Sequence, residues 1–322
     1  MNFQRILVIG GSGFIGRHIV AKLAARGHSV LVPTRRRERA KHLIMLPGVE
    51  VVEANIFERT SLLSLIAQCD AVINCVGILH SRRGEPYGPD FAKVHVDLPR
   101  QIASGMKTHG VKRLLHLSAL GASSEAPSMY LRSKADGEAV LKAEHDLDLT
   151  IFRPSVVFGP EDSFMNLFAR LARYLPILVL GNTEARFQPV YVEDVALACV
   201  NALENRATYK KFYKLCGPKV YTLRELVQFA CSASGRPRVI IGLPTVLARL
   251  QAWLLEFAPG GPLMSRDNID SMKLPNIAPA DWKMAPELGI KRLTPLEQEA
   301  PVYLALLNPR SQYNRFRARA RR

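Results

Sequence analysis

Residues 6 to 16 read ILVIGGSGFIG, an apolar run that breaks into glycines. Ile6, Leu7, Val8 and Ile9 have the length and β-branched content of a buried parallel strand. Beyond the glycines, Phe14, Ile15, Ile19, Val20 and Leu23 fall at mixed three- and four-residue spacings, which predicts a helix. The glycines fit two registers, Gly10-x-x-Gly13-x-x-Gly16 and Gly11-x-Gly13-x-x-Gly16. Either lets backbone N–H groups at a helix N-terminus approach a pyrophosphate. Gly10, Gly11, Ser12, Gly13, Phe14, Ile15 and Gly16 are therefore candidate dinucleotide contacts. A legible strand before the turn and a legible helix after it make the pattern specific.

Working outward, His28 to Pro33 reads as a second strand that ends at Thr34-Arg35-Arg36-Arg37. An acid about 20 positions beyond the glycines takes a ribose 2′-hydroxyl, whereas arginine accommodates a 2′-phosphate. Thr34 and Arg35 stand at that place, so NADP(H) is favoured over NAD(H). Arg17 is a second candidate for the phosphate, and Glu38, the nearest acid, falls on the next helix. Val49 to Glu53 and Cys69 to Val76 read as the third and fourth strands. Strand ends at the carboxyl edge of a parallel sheet line the cofactor crevice. That places Asn55 at the adenine and Cys75, Val76 and Gly77 beside the ribose. The turn-rich segment 81–90 is expected as a loop near the site, Phe91 to His109 as one long helix, and Val111 to Leu117 as a fifth strand. The alternation predicts a doubly wound parallel sheet with right-handed crossovers.

Ser118 closes the fifth strand, and Tyr130 and Lys134 follow in the stretch 128–134, SMYLRSK. Side chains at i and i+4 share a helix face. A lysine ammonium beside a phenol favours the phenolate and lowers its pKa from about 10. Such a tyrosine can protonate a carbonyl oxygen as hydride reaches the carbon, or take the proton back. Ser118 is placed to hydrogen-bond the same oxygen.

The order GGSGFIG, Asn74 to Gly77, Ser118, Tyr130-x-x-x-Lys134, then 152–160, FRPSVVFGP, resembles the short-chain dehydrogenase/reductase superfamily. The Arg-Pro-x-x-x-x-Gly stretch and the length point to its extended or atypical branch, the NAD-dependent epimerase/dehydratases. With the basic end of the second strand and 189–196, PVYVEDVA, the layout is most similar to the NADPH-binding accessory subunit of respiratory complex I and its bacterial relatives. The resemblance implies an α/β, Rossmann-type doubly wound sheet with helices on both faces and a smaller C-terminal α/β lobe. It implies a cofactor domain over 1–160, a substrate or partner lobe over 161–305 and a basic tail over 306–322. It places Gly10, Gly13 and Gly16 under the pyrophosphate and Arg35 on the adenosine phosphate. Tyr130 becomes the proton donor, Lys134 the ribose contact, Ser118 the substrate contact and Pro154 the start of a turn passing the nicotinamide. Extended members often carry Asn in the helix before the fifth strand, where this chain has His95. His95 is thus either part of a proton relay at the cofactor or a satisfied core histidine.

Composition bounds the partners. The chain has 322 residues, 48% of them hydrophobic, and a net charge of +16. Its five cysteines include no CxxC pair, so reduced thiols are expected, with neither a metal nor disulfides. No run reaches the ~18 apolar residues of a spanning helix, and the first strand begins close to Met1, so a cytoplasmic protein, peripheral on a membrane face at most, is expected. Positive charge gathers at residues 35–41 and in the tail from Arg310 to Arg322. That tail suits anionic head groups or solvent, and with no nucleic-acid motif beside it nucleic acid is not the expected partner. Leu243 to Phe257 reads as one apolar amphipathic helix, either packed in the lobe or lying at a membrane surface. Two functions remain open: an oxidoreductase or epimerase on an unidentified small molecule, or an NADPH-binding accessory protein of a respiratory or quinone-synthesis assembly.

Overall fold

A computed structural model describes residues 3–258 and 262–307. Seven parallel strands form the central sheet: β1 (Arg5–Ile9), β2 (Ser29–Thr34), β3 (Val49–Glu53), β4 (Ala71–Asn74), β5 (Arg113–Leu117), β6 (Asp148–Pro154) and the strand Lys211–Leu215. Their order across the sheet is Lys211–Leu215, β6, β5, β4, β1, β2, β3. The chain thus builds β1 to β3 outward on one side, then returns to β4 beside β1 and builds outward on the other. The reversal between β1 and β4 opens a crevice at the carboxyl edge. β1, β4 and β5 are almost wholly buried, as strands covered on both faces must be. Helices α1 (Phe14–Ala25), α2 (Arg59–Ile66), α3 (Leu98–Thr108) and α4 (Met129–Lys142) supply the crossovers. The expected doubly wound sheet is the observed one.

The chain falls into two compact units. Among the described residues, the first holds 3–154 with Val192–Leu215 and Asp281–Lys291, and the second holds Ser155–Tyr191 and those of 216–280 and 292–307. Within the first, the buried Arg113 side chain is a structural pin. Its five N–H donors reach the carbonyls of Asp148, Ala202 and Leu203 and the hydroxyls of Thr150 and Thr208. A buried guanidinium is tolerable only when its whole fork is satisfied, and here two acceptors are carbonyls in the last turn of the helix Val192–Glu204, where a cation is favoured.

In the second unit, helices Met165–Tyr174, Leu223–Ala233 and Leu296–Leu304 pack around Phe158, Phe168, Leu178, Leu226 and Ile240. The Thr222 and Glu225 capping box forms as their spacing predicts. Strand Ile177–Gly181 pairs in parallel with Val239–Leu243.

Two expectations are corrected. The helix over 91–109 is broken into a short turn Pro89–Phe91, a wide π-type turn Ala92–Asp97 and α3. Pro99 has no N–H to offer the His95 carbonyl, so regular i to i−4 bonding cannot run through it. Leu243 ends a strand instead of starting a helix, because the residue before a proline is driven to extended backbone; Pro244 caps the helix Thr245–Leu255. Further along, the helix Arg266–Ser271 starts from a capping box of Ser265 and Asn268. The basic tail from 308 lies outside the described residues.

Candidate active site

The glycine turn joins β1 to α1 at the topological switch. Gly10 has φ of 82°, a left-handed conformation, and packs against the Cys75 and Val76 backbone at the end of β4. At Gly16 a β-carbon would stand 2.2 Å from the Gly10 carbonyl oxygen, so only glycine lets α1 sit this close to the turn. Gly13 is the exposed N-cap of α1, flanked by half-buried Ser12, Phe14 and Ile15. No acid stands in the first turn of that helix to oppose an anion. Arg17 folds back on the turn toward the Gly13 and Ser12 carbonyls. Gly11 is buried beneath it against Val32.

Beside the turn, at the ends of β2 and β3, lies a cavity of about 810 Å3 whose lining includes Arg35, Glu53, Ala54, Asn55, Ile78 and Val94. Thr34, buried, donates to the Arg36 carbonyl and receives the Arg36 N–H, fixing the loop that carries Arg35. Asn55 accepts the Phe57 N–H. Asn74 divides its amide, with Oδ1 accepting from Val76 N–H at 3.1 Å and Nδ2 donating to His116 Nδ1 at 3.2 Å, which fixes the path of Cys75, Val76 and Gly77. Burial pushes the Cys75 thiol up to about 12, so it is not a thiolate.

Tyr130 and Lys134 project from α4, which starts at the Ser128 cap; the Ser128 hydroxyl accepts the Leu131 N–H. Lys134 is buried, donates to the Leu117 carbonyl at 3.2 Å and lies 3.2 Å from where a Gly77 β-carbon would be. Burial pulls its ammonium down to about 8, while the Glu138 carboxylate pulls the other way. Burial raises Tyr130 to about 12. The expected lowering by Lys134 is not seen, because loss of water around the phenol dominates and Lys134 is engaged at Leu117. The Tyr130 ring meets His95 and Phe91 edge-on.

His95 is a satisfied core residue. Its Nε2 accepts the Ile78 N–H at 3.1 Å, and its Nδ1 meets the Ser133 hydroxyl at 2.8 Å; that hydroxyl in turn donates to the Tyr130 carbonyl. The ring therefore carries its proton on Nδ1 and stays neutral, with burial and Lys134 holding its pKa down to about 2. Neither nitrogen is left for a relay or a polar cofactor contact. Ser118 is buried at the end of β5 with its hydroxyl beside the Glu138 carboxylate, which it helps to keep charged, though it makes no hydrogen bond of ordinary geometry among the described residues. Pro154 ends β6 and its carbonyl accepts from Leu120. The preceding Arg153 holds Glu138 with two bonds, at 2.7 and 2.6 Å. The loop 81–90 is tied down by Tyr87 on Asp136 and by Arg132 on the Pro86 carbonyl.

The sequence profile of a known family matches residues 6–216, a span that includes β1, the glycine turn and α4 just described. The chain belongs to the NAD dependent epimerase/dehydratase family. Among its relatives, the mouse NADH dehydrogenase [ubiquinone] 1 alpha subcomplex subunit 9, mitochondrial, is 32% identical over 296 residues, covering 90% of this chain and 77% of the relative. Ceramide reductase of Caulobacter vibrioides is 28% identical over 253 residues, 77% of this chain and 78% of that one. In fold, the chain matches the UDP-glucuronic acid 4-epimerase from Bacillus cereus, solved with UDP-glucuronic acid and NAD. The TM-score is 0.67 at 19% identity, covering 94% of this chain and 99% of that one.

For this epimerase/dehydratase family chain, the motif reading misses Glu138, Ser133, Glu53 and Lys93. Glu138 lies four residues beyond Lys134, so a Tyr-x-x-x-Lys-x-x-x-Glu spacing was available as a signal. Glu53 and Lys93 line the cavity beside Arg35, and no short spacing marks them.

Proposed function

We propose that the chain binds NADP(H) along the crevice between β1 and β4 and reduces a carbonyl, with Tyr130 as the proton donor. The observation that carries this reading is the placement of Lys134 against Gly77, at the switch point and beside the glycine turn. The residues fit a dinucleotide: Gly16 lets α1 close on the turn, which leaves the exposed N-cap Gly13 for a pyrophosphate, and at Gly77 a β-carbon would press on Lys134. The α1 N-terminus and turn would hold the pyrophosphate, the cavity of Asn55, Ile78 and Val94 the adenosine, and Arg35 the 2′-phosphate. The cofactor supplies hydride. Lys134 orients the ribose, and Tyr130, kept protonated by burial, gives its proton to the oxygen that gains charge. A phenol held protonated suits carbonyl reduction better than the oxidation that starts an epimerisation, which needs the phenolate.

The kinship with subunit 9 of complex I favours a second reading, an NADPH-binding accessory protein at a respiratory or quinone-synthesis assembly on a membrane. One experiment separates the two. The purified protein is assayed for retained NADPH and for NADPH oxidation with ketones, quinones and sugar nucleotides. Turnover that disappears in Tyr130→Phe supports the reductase; retained NADPH with no turnover on any of them supports the accessory role. Equal affinity for NADH and NADPH would remove the role given to Arg35.

A further inference from the structure

The helix Thr245–Leu255 is inverted. The side chains it buries are small, Ala248 and Ala252, while Val246, Leu247, Leu250, Trp253 and Leu254, with Phe257 just beyond, are exposed. Val246 is 79% exposed and Phe257 72%. Its charges are paired within the second unit, Arg249 with Asp270 at 3.1 Å and Glu256 with Arg266 at 2.8 Å, although the Arg249 side chain stays 41% exposed. Gln251 donates to the Val179 carbonyl, seating the helix along the strand Ile177–Gly181. The register of that strand with Val239–Leu243 puts Ile177 opposite Val239 and Val179 opposite Ile241, and all four are exposed. Helix and sheet thus present apolar side chains where a soluble surface would alternate.

We propose that this face of the second unit lies in the interface of an anionic lipid bilayer, without crossing it. Eleven helical residues are too few to span and suit a helix lying in the plane. The charge around it fits anionic head groups. Arg173 precedes one strand and Arg236 and Arg238 the other, and no Asp or Glu occurs over 163–183 or 226–255. Exposed Tyr174 and the edge-to-face pair of Trp253 and Phe257 add aromatic residues suited to that depth. Its two charges are already paired within the unit, and what the helix turns outward is otherwise mostly apolar. The surface would serve the membrane side of the accessory reading, but it is tested without turnover or NADPH.

The full chain carrying Trp282→Phe, which leaves Trp253 as the sole tryptophan, is mixed with phosphatidylcholine vesicles with or without phosphatidylglycerol, and with acyl chains plain or brominated. The expected result is salt-sensitive binding to the anionic vesicles with Trp253 quenched by the bromines. Adding Leu250→Glu and Leu254→Glu lowers partitioning by roughly tenfold or more, as loss of two leucine contacts from an interface requires. Both sites are exposed, and an unchanged circular dichroism melt confirms folding. Absence of binding, binding without quenching, or binding indifferent to the two glutamates would each overturn the proposal. So would a concentration-dependent dimer that the glutamates dissolve, which would make a second copy the occupant.

Discussion

The Glu138 carboxylate is held by Arg153 through two parallel hydrogen bonds, one turn along α4 from Lys134. Lys142 adds a third bond at 3.0 Å, and burial alone would raise the carboxyl, yet these partners keep it below its ordinary range. Glu138→Gln leaves a half-buried guanidinium without its counter-charge and should cost about 2 kcal/mol in urea unfolding. It also removes the charge that raises the Lys134 pKa. The upper pH limit of NADPH binding, followed by cofactor fluorescence, should therefore move to lower pH; an unmoved limit would separate Glu138 from Lys134.

Lys134 titrates near 8 when folded and near 10.5 in the unfolded chain. Between those values the unfolded state binds more protons, so this group's contribution to stability rises with pH across that window, and below it the buried ammonium is a net cost. Lys134→Met should stabilise the ligand-free protein at pH 7, on the order of a few kcal/mol, while weakening NADPH binding. The difference in unfolding free energy between the two proteins should shrink from pH 8 toward 10.5. A constant difference would show that Lys134 is not desolvated.

Gly137 lets α4 touch the π-type turn, for a β-carbon there would stand 2.0 Å from the His95 carbonyl oxygen. Alanine would favour a helix by about 1 kcal/mol, but the backbone must part to admit it. Gly137→Ala should lose about 2 kcal/mol net in thermal or urea unfolding. The displaced turn carries Val94, so adenosine affinity should fall as well. A stabilised Gly137→Ala would mean that this contact is soft.

His95 should show no titration between pH 4.5 and 8 in nitrogen-15 spectra, with the neutral Nδ1–H form throughout. Burial and Lys134 hold its pKa far below that range. A midpoint near 6.5 would place the ring in contact with water and reopen the relay.

The central sheet was legible because each strand is a short apolar run ended by turn residues, and a doubly wound order follows once strands and helices alternate. Gly10, Gly16, Tyr130 and Lys134 mark the candidate site in the sequence because their spacing is local. What escaped depends on contacts between distant segments. Nothing near His95 in sequence names Ile78 and Ser133 as the groups that satisfy its ring, and nothing near Tyr130 announces how far burial outweighs the neighbouring ammonium. The apolar pattern of 243–257 pointed to a helix, found at Thr245–Leu255, but not to which side faces inward, since Ala248 and Ala252 are weaker hydrophobic signals than the leucines beside them.

Arg113 bears on modularity. Three of the five acceptors that satisfy it, at Ala202, Leu203 and Thr208, come from a segment that returns only after the chain has built strands and a helix of the second unit. A fragment cut after Pro154 would keep the glycine turn and Tyr130 yet leave a guanidinium buried among absent partners and β6 as a bare edge. The nucleotide-binding half of this protein is therefore not a cassette that can be excised, swapped or fused. Engineering of its specificity has to proceed by substitution in place.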